Sequence, residues 1–158
     1  MASMSSERIT IVYASSTGNT EALVEMMKEE LSTAFQSITV LASENFSKAA
    51  LSDTDVLIVS TYSWGNGEIP KRMENVYRLI EDHASKTLMT VATGTGDRHY
   101  PRYCGAVDQF RDMLFDKTTL IATLKVELLP QESDRKKCKQ LNQLLHQRVK
   151  NIPCSSEA

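Results

Sequence analysis

An alternation in the sequence does most to narrow the fold. Short, apolar, β-branched runs at 8–13 (RITIVY), 37–41 (SITVL), 55–61 (DVLIVST), 87–93 (TLMTVAT) and 118–129 (TTLIATLKVELL) read as strands. The middle of DVLIVST is continuously apolar, as in a strand buried on both faces. Between these runs, apolar residues recur at helical spacing. Leu23, Met27, Leu31 and Phe35 mark one face over 20–35. Met73, Val76, Tyr77 and Ile80 mark a second, opened by Pro70 where a missing N–H does no harm. Tyr103, Val107, Phe110 and Leu114 mark a third. Cys138, Leu141, Leu145 and Val149 mark the last, over 133–149. Strand and helix alternating five times imply a parallel sheet with helices on both sides. The expected architecture is α/β, a doubly wound five-stranded parallel sheet of order 2-1-3-4-5.

The chain has 158 residues, enough for one domain with a full core, expected over 8–150. Residues 1–7 are expected to be a disordered N-terminal segment and 151–158 a flexible tail. No apolar run approaches the ~20 residues of a membrane span. The start, MASMSSER, has no secretory apolar core, so a cytoplasmic protein is expected. Three cysteines, Cys104, Cys138 and Cys154, are widely spaced and support neither a disulfide framework nor a metal site. A net charge of −2 excludes a global basic footprint for nucleic acid.

In a sheet of this order, ligands sit at the carboxyl ends of the strands, near the strand 1/strand 3 switch point. The loops there read SSTGNT (15–20), YSWGNGEIP (62–70) and GTGDRHYPRYC (94–104). The first leads into a helix N-terminus, where free backbone N–H groups attract an anion. Gly18 lets the backbone approach closely, and Ser15, Ser16, Thr17, Asn19 and Thr20 add neutral donors. No Lys follows Gly18, so this is not a Walker A loop, and the GxGxxG of a dinucleotide site is absent. The plainer alternative is a strand-to-helix loop with Thr20 as N-cap. Trp64 and Tyr100 sit in loops where core aromatics are out of place, and together they can sandwich a planar ring. The alternatives are a loop plug for Trp64 and a surface residue for Tyr100. Thr95, Gly96 and Asp97 can offer N–H groups and an acceptor to a heterocycle edge from a tight loop, although Asp97 suits a turn equally.

With these loops in view, the chain resembles the flavodoxins, small FMN-binding electron carriers of flavodoxin-like fold. SSTGNTE is similar to the family's phosphate loop, TYSWGNGEIP to its second flavin loop and GTGDRHYPRYCGAVDQF to its third. The match runs from Ile9 to about Val149, without the insertion of long-chain members. The resemblance implies non-covalent FMN, with its phosphate held by Ser15, Ser16, Thr17, Gly18, Asn19 and Thr20. It implies Trp64 on the inner and Tyr100 on the outer face of the ring, and Gly65–Asn66 as the redox-responsive peptide. Thr95, Gly96, Asp97 and Cys104 would meet the pyrimidine edge. Tyr62, Ser63, Gly67, Thr93 and Tyr103 complete the implied site. The resemblance also implies a monomer that turns over no substrate. It would pass single electrons from a flavin/NADPH-dependent reductase to an electron-accepting enzyme, with no nucleic-acid or membrane partner.

One departure stands out. Flavodoxins are as a rule strongly acidic, yet residues 61–110 hold six acids and six bases. Lys71, Arg72, Arg98 and Arg102 flank the implied flavin edge, so a partner that is neutral or acidic there is expected. This leaves room for a dedicated FMN accessory protein or a diflavin-reductase-type module. A flavin-free receiver module on the same architecture would need an acidic cluster, but its strand ends read YASS and STYS.

Overall fold

The computed structural model describes residues 4–151. Its strands are β1 (Ser5–Tyr13), β2 (Phe35–Ala42), β3 (Val56–Thr61), β4 (Met89–Gly96) and β5 (Thr119–Glu127). They form one parallel sheet of order β2-β1-β3-β4-β5, the order expected. The helices are α1 (Asn19–Leu31), α2 (Lys48–Ser52), α3 (Lys71–His83), α4 (Gly105–Lys117) and α5 (Glu132–Lys150). Alternate strand residues serve two cores. Ile9, Ile11, Val56, Ile58 and Val91 pack under α1 and α5 with Leu23, Met27, Leu141 and Leu145. Val12, Leu57, Val59 and Ala92 pack on the other face under α3 and α4 with Met73, Val76, Val107 and Phe110. All six residues of β3 are buried, which explains its lack of polar alternation.

The structure corrects several boundaries. β1 begins at Ser5, inside the segment expected to be disordered, because Ser5 pairs with Phe35 and its N–H donates to Ala34 O at 2.7 Å. Residues 1–3 and 152–158, which include most of the expected tail, lie outside the described residues. The first helix ends at Leu31, and Phe35 opens β2 instead. The hydroxyls of Ser32 and Thr33 donate to the carbonyls of Lys28 (2.7 Å) and Glu30 (2.8 Å), closing the last turn. α2 carries no recognisable periodicity because it is only five residues long. Pro70 is the N-cap of α3, one residue outside it. Tyr103 precedes the third amphipathic helix, which starts at Gly105. β5 carries one extra residue, Ile121, between the pairs Thr90–Leu120 and Val91–Ala122.

The correction that matters most for the site concerns Gly94, Thr95 and Gly96. They are not a loop: they continue β4, paired with Lys125, Val126 and Glu127. Cross-strand pairing to β5 carries the strand past its apolar run. No helix of the described residues is long and apolar enough to cross a membrane.

Candidate functional site

The first loop presents unpaired donors. Gly18 caps α1 in the left-handed region, φ 95°, with nothing within 4 Å of where a side chain would begin. Among the described residues, the N–H groups of Ser16, Thr17, Asn19 and Thr20 have no protein acceptor. Two hydroxyls are turned away from this cradle. Ser15 Oγ accepts from the N–H of Gly18 (3.1 Å) and of Glu21 (3.3 Å). Thr20 is not the N-cap. Its buried hydroxyl shares a 2.8 Å hydrogen bond with Thr95, which joins the loop to the end of β4. The helix dipole and four free N–H groups therefore supply the positive potential without a formal charge.

The second loop is a tight turn. Trp64 and Glu68 form an antiparallel bridge, with Trp64 N–H donating to Glu68 O at 2.8 Å and Glu68 N–H to Trp64 O at 2.7 Å. Gly65 takes φ 52° at its apex, a conformation costly to any residue with a Cβ. Trp64 is 63% exposed, so its side chain is not packed into the core. Ser63 Oγ accepts from Ala106 N–H at 3.0 Å and Gly67 O accepts from Gln109 at 2.9 Å, which ties this loop to α4. Gly67 and Gly105 touch backbone to backbone. A Cβ on Gly105 would lie 2.6 Å from Gly67 O.

The third loop starts at Asp97, whose carboxylate is engaged in its own turn. It accepts from the backbone N–H of His99 at 2.9 Å and meets the ring Nδ1 at 2.8 Å. Tyr100 follows, 57% exposed. Cys104 is buried in the left-handed region at φ 54°, and burial pushes its thiol up to about 11. Tyr103 is half-buried beneath Arg98, whose guanidinium carbon stands 5.0 Å from the ring centroid. Burial pushes its hydroxyl up to about 12.

The three loops enclose one cleft of about 520 Å³ at the carboxyl ends of the strands. Ser16, Thr17, Asn19, Thr20, Tyr62, Ser63, Trp64, Gly65, Thr95, Gly96, Asp97, Tyr100 and Cys104 line it. Ser15, Gly18, Asn66, Gly67, Thr93 and Tyr103 do not, and several of them hold the cleft's walls. Thr93, for example, is buried and donates to Val59 O at 2.9 Å. Sequence reasoning set Arg102 beside the flavin edge without assigning it to the cofactor site, and it missed Leu128 altogether. The positive φ of Leu128 has no sequence signature. A larger cleft of about 560 Å³ lies at the opposite, amino end of the sheet, lined by Ser6, Asp55 and His83 among others, and has no free aromatic wall.

A family model described as flavodoxin matches residues 11–140 of this chain. A probable flavodoxin 1 of Bacillus subtilis (strain 168) is 31% identical over 132 residues, covering 82% of this chain and 84% of that protein. The solved flavodoxin of Streptococcus pneumonia TIGR4 superposes with a TM-score of 0.84 at 27% identity, covering 89% of this chain and 98% of that one. The sulfite reductase [NADPH] flavoprotein alpha-component of Mannheimia succiniciproducens is 26% identical over 65% of this chain and only 18% of that protein. The chain belongs to the flavodoxin family. Flavodoxins bind FMN and carry electrons without turning over a substrate.

The donor set of this flavodoxin fits that cofactor. Free N–H groups and hydroxyls suit a phosphate, and two exposed rings at one cleft suit a planar heterocycle.

The rim of the cleft also titrates. The Asp97 carboxylate holds the His99 ring above its ordinary value of 6.5, first by the side-chain hydrogen bond and then by charge. In turn, the backbone N–H of His99, then its ring, lowers Asp97 below 3.8. The ion pair is present between those limits. It is lost as pH rises through the raised His99 value, or falls through the depressed Asp97 value. Following the His99 ring by NMR should give a midpoint above 6.5, and Asp97→Asn should bring it back toward 6.5. A midpoint indifferent to Asp97→Asn contradicts the pairing.

Proposed function

We propose that this flavodoxin holds FMN non-covalently and passes single electrons from a flavin/NADPH-dependent reductase to an electron-accepting enzyme. The observation that carries the reading is the meeting of two exposed rings and an uncharged anion cradle at one cleft. In this reading the N–H groups of Ser16, Thr17, Asn19 and Thr20 hold the phosphate, and Ser15 and Gly18 shape the loop that presents them. Trp64 and Tyr100 shield the two ring faces from water, and Thr95, Gly96, Asp97 and Cys104 border its polar edge. Gly65–Asn66 is the adaptable peptide. Its Gly65 carbonyl and Asn66 N–H have no protein partner, so they can reorient at little cost. Bound FMN supplies the one-electron chemistry, and the chain supplies binding, orientation and exclusion of water.

The test is a fluorescence titration with FMN. The wild-type protein should quench FMN and stay yellow after desalting. Trp64→Ala should weaken binding by roughly tenfold or more, since stacking on one aromatic is worth ~1–3 kcal/mol. Equal affinity in wild type and variant removes Trp64 from the site, and no quenching at all removes the reading.

A second reading, an FMN module dedicated to one enzyme, draws on the mixed charge of the cleft surroundings and on the likeness to a larger flavoprotein. Rates with several unrelated reductases and acceptors separate the two, because a general carrier serves most of them.

A further inference from the structure

We infer that the turn at Leu128–Leu129, just past β5, is the contact through which the FMN-loaded protein docks its electron partner. The partner it fits is a protein with an apolar, uncharged patch. The inference rests on the carrier reading above.

Three observations converge on this turn. First, it is strained and held. Leu128 has φ 53°, and only Cys104 shares a positive φ among the described non-glycine residues. A side chain in the left-handed region is disfavoured by ~1–2 kcal/mol, and such outliers persist only where the surroundings enforce them. Leu128 N–H donates to Gly96 O at 2.8 Å, and Gln131 donates to Leu129 O at 3.1 Å, so both sides of the turn are fixed. Gly or Asn would make this turn with less strain. Leucine there points to a use for the side chain.

Second, that side chain faces solvent. Leu128 is 45% exposed and Leu129 53%. Among the described residues, six large apolar residues are exposed, and three of them, Trp64, Tyr100 and Leu128, line the cleft, with Leu129 next to Leu128 in the chain. A ring bound between Trp64 and Tyr100 would cover part of those two. Leu129 does not line the cleft and stays outside it. An apolar patch continuous with a redox centre's mouth is where a partner must approach for transfer.

Third, the charges here come close to balance. Arg98 pairs with Glu127 at 3.6 Å, and His99 meets Asp97 at 2.8 Å. Arg72 reaches Glu44 at 3.9 Å. Lys71, Glu68 and Glu74 share the hollow on the other side of Trp64, and Arg102 lines the cleft. Of the bases that the sequence places near the flavin edge, Arg72 and Arg98 are thus paired and Lys71 shares its hollow with two acids, while Arg102 has no carboxylate within 4 Å among the described residues. With acids and bases near balance and Arg102 the one base without a neighbouring acid, little net charge remains to steer a strongly charged face, and a neutral apolar surface is the complement.

The experiment follows reduction of the FMN-loaded protein by stopped flow, with NADPH and a purified flavodoxin–NADP reductase as the probe. Leu129→Ser should slow the second-order step by about tenfold, as loss of a central apolar contact does. It should leave FMN affinity and melting unchanged, and Leu129→Met should restore the rate. The wild-type rate should vary by less than about threefold between about 0.05 and 0.5 M salt. A Leu129→Ser protein that reacts at the wild-type rate overturns the docking role. A wild-type rate falling tenfold with salt overturns the uncharged partner. A wild-type dimer in sedimentation that Leu129→Ser dissolves assigns the turn to self-association and overturns the proposal. A wild type that retains FMN but accepts no electrons overturns the carrier reading, a result distinct from the other three.

Discussion

Replacing Gly94 by alanine is expected to leave little folded protein. Gly94 lies in β4, where α4 comes closest to the sheet. A Cβ there would stand 2.0 Å from the backbone oxygen of Thr61 and 2.6 Å from Val107 Cγ2. Neither atom can yield cheaply. Thr61 is a residue of the central strand β3, and Val107 is buried in the first turn of α4. Overpacking a well-filled core costs about 1–3 kcal/mol where side chains can shift, and more where backbone must move. A domain of this size has only ~5–15 kcal/mol in total. We expect a loss of at least ~3 kcal/mol in urea unfolding, with FMN retention falling in parallel. A Gly94→Ala protein within ~1 kcal/mol of wild type would mean that β3 and α4 leave more room at Gly94 than these distances allow.

A single carboxylate placed in the first loop should abolish tight FMN binding while sparing the fold. Thr17 is exposed and lines the cleft beside the free N–H groups. Thr17→Asp sets a negative charge where the phosphate is proposed to lie. At ~5 Å and an effective dielectric near 20, one charge pair repels by ~3 kcal/mol, and a phosphate carries nearly two charges. Affinity for FMN should fall by roughly 100-fold or more. Riboflavin, which has no phosphate, should bind both proteins equally, and Thr17→Asn should stay close to wild type. Melting should not fall, because an acid before a helix N-terminus opposes the dipole favourably. Equal losses for FMN and riboflavin would show that the loop touches something other than the phosphate.

The three loops were legible in the sequence because each departs from its local pattern. Five of six residues in SSTGNT are small and polar side-chain donors beside one glycine, and Trp64 and Tyr100 stand outside any periodicity. What those residues do once folded was less legible. Ser15 reads like its neighbours, yet its hydroxyl is held by the N–H groups of Gly18 and of Glu21 in the first turn of α1. Asp97 reads as an acceptor for a ligand, yet His99, two residues on, engages it. Leu128 reads as part of a strand, yet it ends up strained, exposed and in the cleft wall.

The sequence by itself determined the layered fold and the end of the sheet at which a ligand belongs. Periodicity and loop composition are set by residues a few positions apart, and strand order follows from how βα units can wind. Only the tertiary structure decided which donors stay free, how closely the loops approach and where the apolar turn points. Those outcomes depend on contacts between distant residues: Thr20 on Thr95, Gly67 on Gly105, Leu128 on Gly96. No local pattern encodes a hydrogen bond or a steric limit between residues that meet only once the chain has folded.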